Sequence, residues 1–227
     1  MRSAREEGFH NNQEIDRRKF KVLREETDSI YLTESELNKM YQLDLSENIT
    51  LDIARDVFLV GCRTAQRFSD YSLISKENLI HIEYKDVIDL LQKKTGERVK
   101  IPLHWQATEI LNKHDGYLPK IYEQKLNSRI KEVGRLAGIN ESVLTQEIKG
   151  GLKVKKTVPK YELIKTHTAR RTGCTLMYKA GIPVIDIMKI SGHKTEREFL
   201  KYIRISKEET AILLSDHPYY KQPIKLA

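Results

Sequence analysis

The chain has 227 residues, a length that fits one domain or one domain with a short extension. Its 40 lysine and arginine residues exceed its 32 aspartate and glutamate residues, so the formal net charge is +8 and fits a polyanionic partner such as nucleic acid. Aromatic residues make up only 7% of the chain, which argues against binding through stacked aromatic platforms. The longest apolar run, at 57–62, is too short for a membrane span.

Two cysteines, Cys62 and Cys174, lie far apart in segments with apolar periodicity. They form no Cys-x-x-Cys motif and no cysteine–histidine cluster with zinc spacing, which excludes the common structural zinc sites. The charged residues 1–10 contain no apolar stretch that could act as a secretory signal. Two buried thiols in a reducing compartment are the simplest interpretation, so we expect a cytoplasmic protein.

The beginning of the chain differs in composition from the rest. Residues 1–28 are polar and highly charged and show no sustained periodicity, which is typical of a linker or arm. Residues 29–227 carry periodic apolar patterns without an internal repeat or a low-complexity tract. We therefore expect a flexible segment over 1–28 and one compact domain over 29–227.

Helical periodicity predicts the first structured elements. Thr33 and Glu36 match a capping box that opens a short helix through Tyr41. Apolar residues at helical spacing predict a second helix over 50–63, and another begins near Phe68. Further helices are predicted along the rest of the chain, at 107–113, 122–137, 166–180, 183–190, 195–203 and 207–215.

A period of two interrupts this helical pattern. Three strands of a small antiparallel sheet are predicted, at 80–82, 87–91 and 99–103. The turn between the last two strands is predicted at 95–97, where Gly96 lies. A second hairpin is predicted between Thr145 and Leu163, with Gly150-Gly151 as its turn.

Six residues with chemically active side chains stand near the ends of these elements. They are Arg67, Lys94, His167, Arg170, His193 and Tyr202. Each has an ordinary structural explanation when it is taken alone, such as a surface charge, a solubilising lysine at a hairpin tip or a turn residue. Their order along the chain makes the set more specific than any member. The spacing of His167 and Arg170 also puts both side chains on one helix face.

Four motifs carry a family resemblance. They are T-A-Q-R-F-S-D at 64–70, K-K-T-G-E-R-V-K-I-P-L at 93–103, H-T-A-R-R-T at 167–172 and S-G-H-K-T-E-R-E-F-L-K-Y at 191–202. In this order they resemble the tyrosine recombinase, or phage integrase, family, and the resemblance extends from about residue 30 to the end of the chain. The flanking stretches I-Y-L-T-E-S-E-L and A-R-D-V-F-L-V-G-C look most like those of integrases from bacterial conjugative transposons and related mobile elements.

The resemblance implies a fold and a reaction. The fold is α+β and mainly α, with helices around a small three-stranded antiparallel sheet and an extra β-hairpin. The reaction is the breaking and rejoining of DNA strands, in which Tyr202 attacks a phosphodiester and becomes a 3′-phosphotyrosine. Lys94, on its hairpin, protonates the departing 5′ oxygen as the general acid. The resemblance implies no metal and no cofactor, in agreement with a sequence that has no convincing carboxylate cluster.

The remaining four residues are implied to act on the phosphate. Arg67 and Arg170 clamp the phosphorane oxygens with their guanidinium groups. His167 takes the tyrosine proton or donates to the phosphate, and His193 donates a hydrogen bond to a non-bridging oxygen. Asp70, which follows Arg67 in the same motif, is expected to orient a basic side chain through a salt bridge.

The chain departs from the family pattern at one place. Thr64-Ala65-Gln66-Arg67 stands where the family usually has Thr-Gly-Leu-Arg. Because glycine is commonly placed where the backbone needs a positive φ, we expect Ala65 to shift this turn slightly. Gln66 replaces an apolar residue, while Arg67 itself is retained.

Basic residues outside the catalytic set are candidate contacts to the DNA backbone. Four flank the turn of the second hairpin and a fifth follows the H-x-x-R motif: Lys149, Lys153, Lys155, Lys156 and Arg171. Phosphate contacts by such residues position the duplex and make binding depend on salt. A solvated hairpin without a special role remains the alternative.

The resemblance also implies partners. We expect a double-stranded recombination site, a homotetramer on two such sites, a monomer when free, accessory or directionality proteins, and no membrane. Because family members usually carry a DNA-binding domain before the catalytic one, we interpret 1–28 as a connection to such a domain and the chain as a catalytic-domain fragment or a truncated product. Four apolar residues of the last segment pack either on a neighbouring protomer or on their own domain: Leu213, Leu214, Tyr219 and Tyr220.

Two other functions fit the same residues. A type IB topoisomerase uses a similar constellation but is typically a different and longer chain. A DNA-binding integrase relative without activity would keep only an architectural role. The intact set of six residues argues against the inactive relative, and the flanking motifs and the second hairpin favour an integrase of a mobile element.

Overall fold

The computed structural model describes residues 6–9, 30–149 and 152–221, except for the side chains of 147–149 and 152–153. Most of the predicted linker at 1–28 and the predicted turn at Gly150-Gly151 lie outside the described residues. From residue 30 onward, helices and strands follow one another with short connections. None of the helices within the described ranges has both the length and the apolar character needed to cross a membrane.

Helices dominate the described part of the chain. In chain order they are α1 (Glu34–Gln42), α2 (Ile49–Thr64), α3 (Phe68–Tyr71), α4 (Trp105–Lys113), α5 (Glu123–Leu136), α6 (Thr166–Lys179), α7 (Val184–Ser191), α8 (Glu196–Leu200), α9 (Lys207–Ser215) and α10 (Pro218–Lys221). Each predicted helix is present, with ends that differ by a few residues. The capping box of Thr33 and Glu36 opens α1, as predicted.

The strands form two antiparallel sheets. They are β1 (Leu79–Ile82), β2 (Lys85–Leu91), β3 (Arg98–Pro102), β4 (Ser142–Lys149) and β5 (Leu152–Pro159). The first three form one sheet in the order β1-β2-β3, and β4 and β5 form the predicted second hairpin. In the first sheet Ile88 pairs with Ile101 and Leu90 pairs with Val99, so the buried side chains of β2 and β3 share one face.

Helix α2 runs through the centre of the core. Four consecutive residues, Val57, Phe58, Leu59 and Val60, are all completely buried. This is possible because α4, α5 and α6 all pack against α2, so the helix has no broad face towards solvent. The end of α2 is therefore a fixed point from which the next segments are positioned.

Close packing of α6 against the end of α2 brings two of the predicted motifs together. A Cβ at Gly173 would lie 2.3 Å from the carbonyl oxygen of Cys62 and 2.8 Å from the Cβ of Ala65, so only glycine permits this approach. One turn earlier on α6, the guanidinium of Arg170 reaches the carbonyl of Ala65 at 3.1 Å. The H-x-x-R motif thus lies beside the segment that carries Arg67.

Helix α8 is shorter than the sequence predicted. It ends at Leu200, whereas the pattern predicted a helix over 195–203. The hydroxyl of Thr175 on α6 donates to the carbonyl of Tyr202 at 3.1 Å, and the N–H of Tyr202 closes a turn on the carbonyl of Phe199 at 2.7 Å. Because the N–H of Tyr202 bonds the carbonyl three residues back and not four, the helix has already ended, and Thr175 holds Tyr202 in the turn that follows.

Candidate active site

One cleft of about 570 Å³ is lined by all six candidate residues. They come from separate segments: Arg67 from the start of α3, Lys94 from the β2–β3 hairpin, His167 and Arg170 from α6, His193 from the turn after α7, and Tyr202 from the turn after α8. The sequence places these residues up to 135 positions apart, yet the fold brings them to one place. The cleft therefore combines basic side chains, which suit an anionic ligand, with the phenol of Tyr202.

Arg170 is completely buried at this cleft. One amino group donates to the carbonyl oxygens of Ala65 at 3.1 Å and Ser191 at 2.8 Å. The other amino group lies 3.0 Å from Nε2 of His193. Burial lowers the pKa of Arg170. The two carbonyls fix one side of the guanidinium, so its orientation is set before any ligand arrives.

Arg67 brings a second guanidinium to the cleft. It precedes α3 with extended backbone, and its amino group lies 3.3 Å from Oε1 of Gln92. Neither Arg67 nor Arg170 forms an ion pair with a carboxylate of the described residues. Two guanidinium groups without carboxylate partners favour binding of a phosphate, because their donors match its oxygens.

The imidazole of His193 is held by two neighbours. The hydroxyl of Ser191 donates to the carbonyl of Ile187 at 2.7 Å, so Nδ1–H of His193 is the donor in its 2.7 Å contact with the same hydroxyl. Nε2 then accepts from Arg170. Burial, followed by the charges of Arg170 and Arg67, lowers the pKa of His193 to about 3, so the ring is neutral at pH 7.

Tyr202 lies between two imidazoles. Its ring centroid is 4.6 Å from that of His193 and 5.2 Å from that of His167. The guanidinium carbon of Arg170 is 5.4 Å from the centre of the phenol ring. Burial, followed by three neighbouring arginines with Arg171 first, lowers the pKa of His167 to about 4. The phenol therefore has two neutral imidazoles beside it at pH 7.

Lys94 stands on a turn that is tied at its base. The N–H of Gly96 donates to the carbonyl of Gln92 at 2.9 Å, and the N–H of Gln92 donates to the carbonyl of Glu97 at 2.8 Å. Gly96 has a φ of 65°, as a tight turn requires. Lys94 itself is exposed, lines the cleft and has no ion pair within the described part of the chain. Its ammonium is thus available to a bound ligand.

A model of the phage integrase family matches residues 31–209. The chain belongs to the phage integrase family. Its helices, small antiparallel sheet and added hairpin form the catalytic fold of the tyrosine recombinases, as predicted. No curated protein sequence matches the chain.

Solved recombinases share this fold at low sequence identity. The XerA recombinase has a TM-score of 0.60 and 15% identity, over 83% of this chain and 65% of that chain. A lambda integrase(75-356) dimer bound to a COC′ core site has a TM-score of 0.62 and 18% identity, over 89% and 68%. The Tn1549 transposon integrase (82–397) in complex with circular intermediate DNA has a TM-score of 0.58 and 15% identity, over 93% and 73%. This chain spans 65% of XerA, and 52% and 54% of XerH in its two DNA complexes.

Asp70, in the first integrase motif, does not form the predicted salt bridge. Its Oδ1 accepts from the backbone N–H of Lys93 at 2.9 Å, and its Oδ2 has no hydrogen-bond partner among the described residues. The carboxylate is buried beside the stem of the hairpin, where a backbone amide reaches it and the lysine side chains point to solvent. The prediction for Asp70 was wrong, and this residue anchors the hairpin that carries Lys94.

The departure from the family pattern at Ala65 preserves a left-handed turn. Ala65 has φ 55° and ψ 24°, the conformation that glycine adopts most easily, and its N–H donates to the carbonyl of Gly61 at 3.0 Å. Gln66, which replaces the usual apolar residue, is completely buried and fully hydrogen-bonded through its amide. The backbone of Ala65 and the side chain of Gln66 are therefore both hydrogen-bonded where the chain leads into Arg67.

Gln92, which no sequence motif singled out, is also completely buried. It lies directly after β2, between the strand and the tip with Lys94. Strand alternation puts it on the same face as Ile88 and Leu90, which are both buried. A polar residue at a buried strand position was the signal that could have found it.

The predicted DNA contacts of the second hairpin are divided between its two faces. Lys155 and Lys156 are adjacent and exposed on β5, so their side chains point in opposite directions. Lys156 lines a groove together with Lys131 and Lys165. Two further predicted contacts have side chains outside the described residues: Lys149 and Lys153.

Arg171 is not among the residues that line the cleft, although its charge acts on His167. Its amino group donates to the carbonyl of Ile30 at 3.3 Å, and its Nε has no partner among the described residues. Burial, followed by the charge of Arg204, lowers the pKa of Arg171 to about 10. The half-buried side chain contacts the segment that enters α1, and DNA contact by Arg171 stays a prediction.

Proposed function

We propose that this chain is the catalytic domain of a site-specific recombinase, which cleaves and rejoins DNA through a 3′-phosphotyrosine at Tyr202 during integration or excision of a mobile element. One observation carries the proposal: a phenol lies between two neutral imidazoles in a cleft with two guanidinium groups that have no carboxylate partner among the described residues. Membership of the phage integrase family supports the same reaction.

The phenol oxygen of Tyr202 attacks the phosphorus, and the bond between phosphorus and the 5′ oxygen breaks. Extra negative charge develops on the non-bridging oxygens, and Arg67 and Arg170 offset it. The loss of one such donor costs about 3–4 kcal/mol of transition-state stabilisation. Since the energy of the phosphodiester is kept in the covalent link, the reverse step rejoins a strand without a co-reactant.

Proton transfers accompany both bond changes. His167 accepts the phenol proton, because its lowered pKa keeps a free lone pair at pH 7. Lys94 donates a proton to the 5′ oxygen as that bond breaks. In the free protein Nε2 of His193 accepts from Arg170. The proposed hydrogen bond from His193 to the phosphate therefore requires this amino group of Arg170 to bond the phosphate instead of Nε2, and the imidazole to change its tautomer.

The proposed substrate is a double-stranded recombination site, bound by a tetramer on two sites, with a monomer as the free form. The solved relatives include a lambda integrase tetramer bound to a Holliday junction and the Tn1549 integrase in complex with circular intermediate DNA. Four apolar residues near the end of the described chain are exposed, which supports packing on a neighbouring protomer: Leu213, Leu214, Tyr219 and Tyr220. Accessory proteins would set the direction, and the reaction would take place on DNA in the bacterial cytoplasm.

The test traps the covalent intermediate and identifies the cleaved DNA sequence in the same experiment. The chain is incubated with duplexes that have a randomised centre and a nick beside it, so that the short cleaved strand diffuses away. Wild type should form a covalent protein–DNA adduct on denaturing gels, and the adducts can be sequenced. Tyr202→Phe should form none, while Tyr178→Phe, a partly buried tyrosine outside the cleft, should react like wild type.

Three results would overturn the proposal. An adduct with Tyr202→Phe would move the nucleophile to another residue. Relaxation of supercoiled plasmid without sequence preference would indicate a type IB topoisomerase activity. DNA binding by wild type without any adduct would indicate an inactive, architectural relative.

A further inference from the structure

Gln92 lies at the junction of three segments that carry catalytic candidates. It follows β2 at the base of the Lys94 hairpin, and its side chain is completely buried. Burial of a primary amide is costly unless each of its polar groups is hydrogen-bonded. The partners of this amide therefore indicate what the side chain is there to hold.

All hydrogen-bonding positions of the Gln92 amide are occupied. Its Oε1 accepts from the hydroxyl of Thr95 at 2.7 Å and lies 3.3 Å from the amino group of Arg67. Its Nε2 donates to Oε1 of Gln66 at 2.6 Å and to the carbonyl of Ser191 at 2.8 Å. One side chain thus connects the residue after Lys94, one arginine of the cleft and the segment that leads to His193.

Gln66 completes this network from the opposite side. Its Nε2 donates to the carbonyls of Thr64 at 3.0 Å and Ile190 at 2.8 Å. An apolar side chain at this position, as in the usual family pattern, would leave one N–H of Gln92 and the carbonyl of Ile190 without these bonds. Gln66, which departs from the family pattern, therefore provides the acceptor that the Gln92 amide needs.

The fit around the Gln92 amide is close. A Cβ at Gly192 would lie 2.3 Å from Oε1 and 2.5 Å from Nε2 of Gln92, and Gly192 has a φ of 68°. Glycine between Ser191 and His193 is required both by the turn and by this amide. The position of the His193 segment and the orientation of the Gln92 side chain are thus fixed together.

We propose that Gln92, oriented by Gln66, is a positioning residue that fixes the Lys94 hairpin relative to Arg67 and the His193 segment. The inference rests on the proposed recombinase reaction. Lys94 extends from an exposed tip, so its ammonium reaches the leaving oxygen reproducibly only if the stem of the hairpin is fixed. The hydrogen bond from Thr95 to Gln92 provides this within one residue of Lys94.

The test uses the duplexes recovered from wild-type adducts, made with either oxygen or sulfur at the 5′ bridging position of the cleaved bond. A thiolate leaves without protonation, so a sulfur substrate does not need the general acid. Gln92→Met, which keeps the length of the side chain, should slow cleavage of the oxygen substrate about tenfold to a hundredfold. Cleavage of the sulfur substrate should be slowed much less, so the ratio of the sulfur to the oxygen cleavage rate should rise. Lys94→Ala removes the general acid itself and therefore gives the upper limit of this ratio.

Two further variants separate positioning from folding. Thr95→Val, at the partly exposed turn, should also raise the sulfur-to-oxygen rate ratio, and it keeps the test decisive if Gln92→Met folds poorly. Gln106→Met is the matched control, because Gln106 is a completely buried glutamine that bonds Arg63 and Asn38 outside the cleft. It should lower the melting temperature and leave the ratio unchanged.

Because Gln66 and Gln92 share one hydrogen bond, Gln66→Leu and Gln92→Met should also be non-additive in their effect on the ratio.

If wild type cleaves both substrates but Gln92→Met and Thr95→Val leave the ratio at the wild-type value, the positioning role is wrong and the proposed reaction stands. If wild type forms no adduct with the randomised duplexes, there is no site from which to make the two substrates; the proposed reaction itself is then refuted, and the positioning role with it.

Discussion

Ala65 shows how a single residue compensates for a rare backbone conformation. A non-glycine residue in the left-handed region costs about 1–2 kcal/mol. The methyl group of Ala65 is completely buried beside Gly173, and burial of one such group stabilises the fold by about 0.8 kcal/mol. Alanine also loses less conformational entropy on folding than glycine, by about 0.5–1 kcal/mol. The opposing effects are of similar size, which explains how the family glycine can be replaced beside Arg67.

The two histidines of the cleft predict a dependence of stability on pH. Their folded-state pKa values, about 4 for His167 and about 3 for His193, lie below the ordinary value of 6.5. Between the folded-state and the unfolded-state pKa values, the histidines bind protons only in the unfolded chain. The free energy of unfolding therefore rises with pH in this range and decreases as the pH falls from about 6.5 towards 4. We expect urea titrations to show this decrease of the free energy of unfolding, and His193→Gln to make it shallower.

A matched control accompanies this pH experiment. His217→Gln removes an exposed histidine from the segment between α9 and α10, and it should keep the wild-type slope. An unchanged slope in His193→Gln would contradict the prediction, since the desolvated ring would then contribute nothing to the pH dependence. Carboxylates with lowered pKa values, such as Glu34, lose their stabilising effect below about pH 4.5 and do not affect the upper part of the range.

At the scale of elements, the β2–β3 hairpin has a stem that is held and a tip from which the Lys94 side chain extends into solvent. Asp70 holds the stem through the N–H of Lys93, and nothing in the described residues pairs with its second oxygen. Asp70→Asn retains an acceptor at this position, whereas Asp70→Ala does not. We expect the asparagine variant to cleave nicked duplexes at close to the wild-type rate and the alanine variant to be slower by about tenfold.

This pair of variants also distinguishes anchoring by Asp70 from a salt bridge. A salt bridge depends on the negative charge, so asparagine would then be as damaging as alanine. Equal losses in both variants would restore the salt-bridge role. A loss only in Asp70→Ala would support anchoring of the hairpin through the backbone.

The elements of the fold could largely be predicted, because their signals are local. The capping box at Thr33 and the period of two in the first sheet depend only on neighbouring residues. What failed depends on contacts between distant segments. The turn that holds Tyr202 after α8 is fixed by Thr175 on α6, and the role of Asp70 is set by the hairpin packed beside it. The catalytic candidates were found through motif order, which reflects the family and not the local pattern.

For the whole molecule, the last helices remain attached to the domain by a polar contact. Glu209 on α9 accepts from the hydroxyl of Tyr31 and forms an ion pair with Lys179 at 3.0 Å. This contact lies at the start of α9, while the exposed apolar residues lie further along the chain. The anchored beginning and the exposed apolar end fit a segment that stays on its own domain and offers its final part to a neighbour.

The distribution of positive charge over the molecule predicts where DNA binding is sensitive to salt. Lys156 shares a groove with Lys131 and Lys165, whereas Lys155 lies on the opposite face of the same strand. Each phosphate contact contributes about one to the slope of log affinity against log salt concentration. We therefore expect Lys156→Gln to reduce this slope by about one and Lys155→Gln to leave it nearly unchanged. The slopes can be measured by fluorescence anisotropy with duplexes recovered from wild-type adducts. Equal effects of the two variants would mean that net charge alone attracts DNA to the hairpin, and a larger effect of Lys155→Gln would place the duplex on the other face.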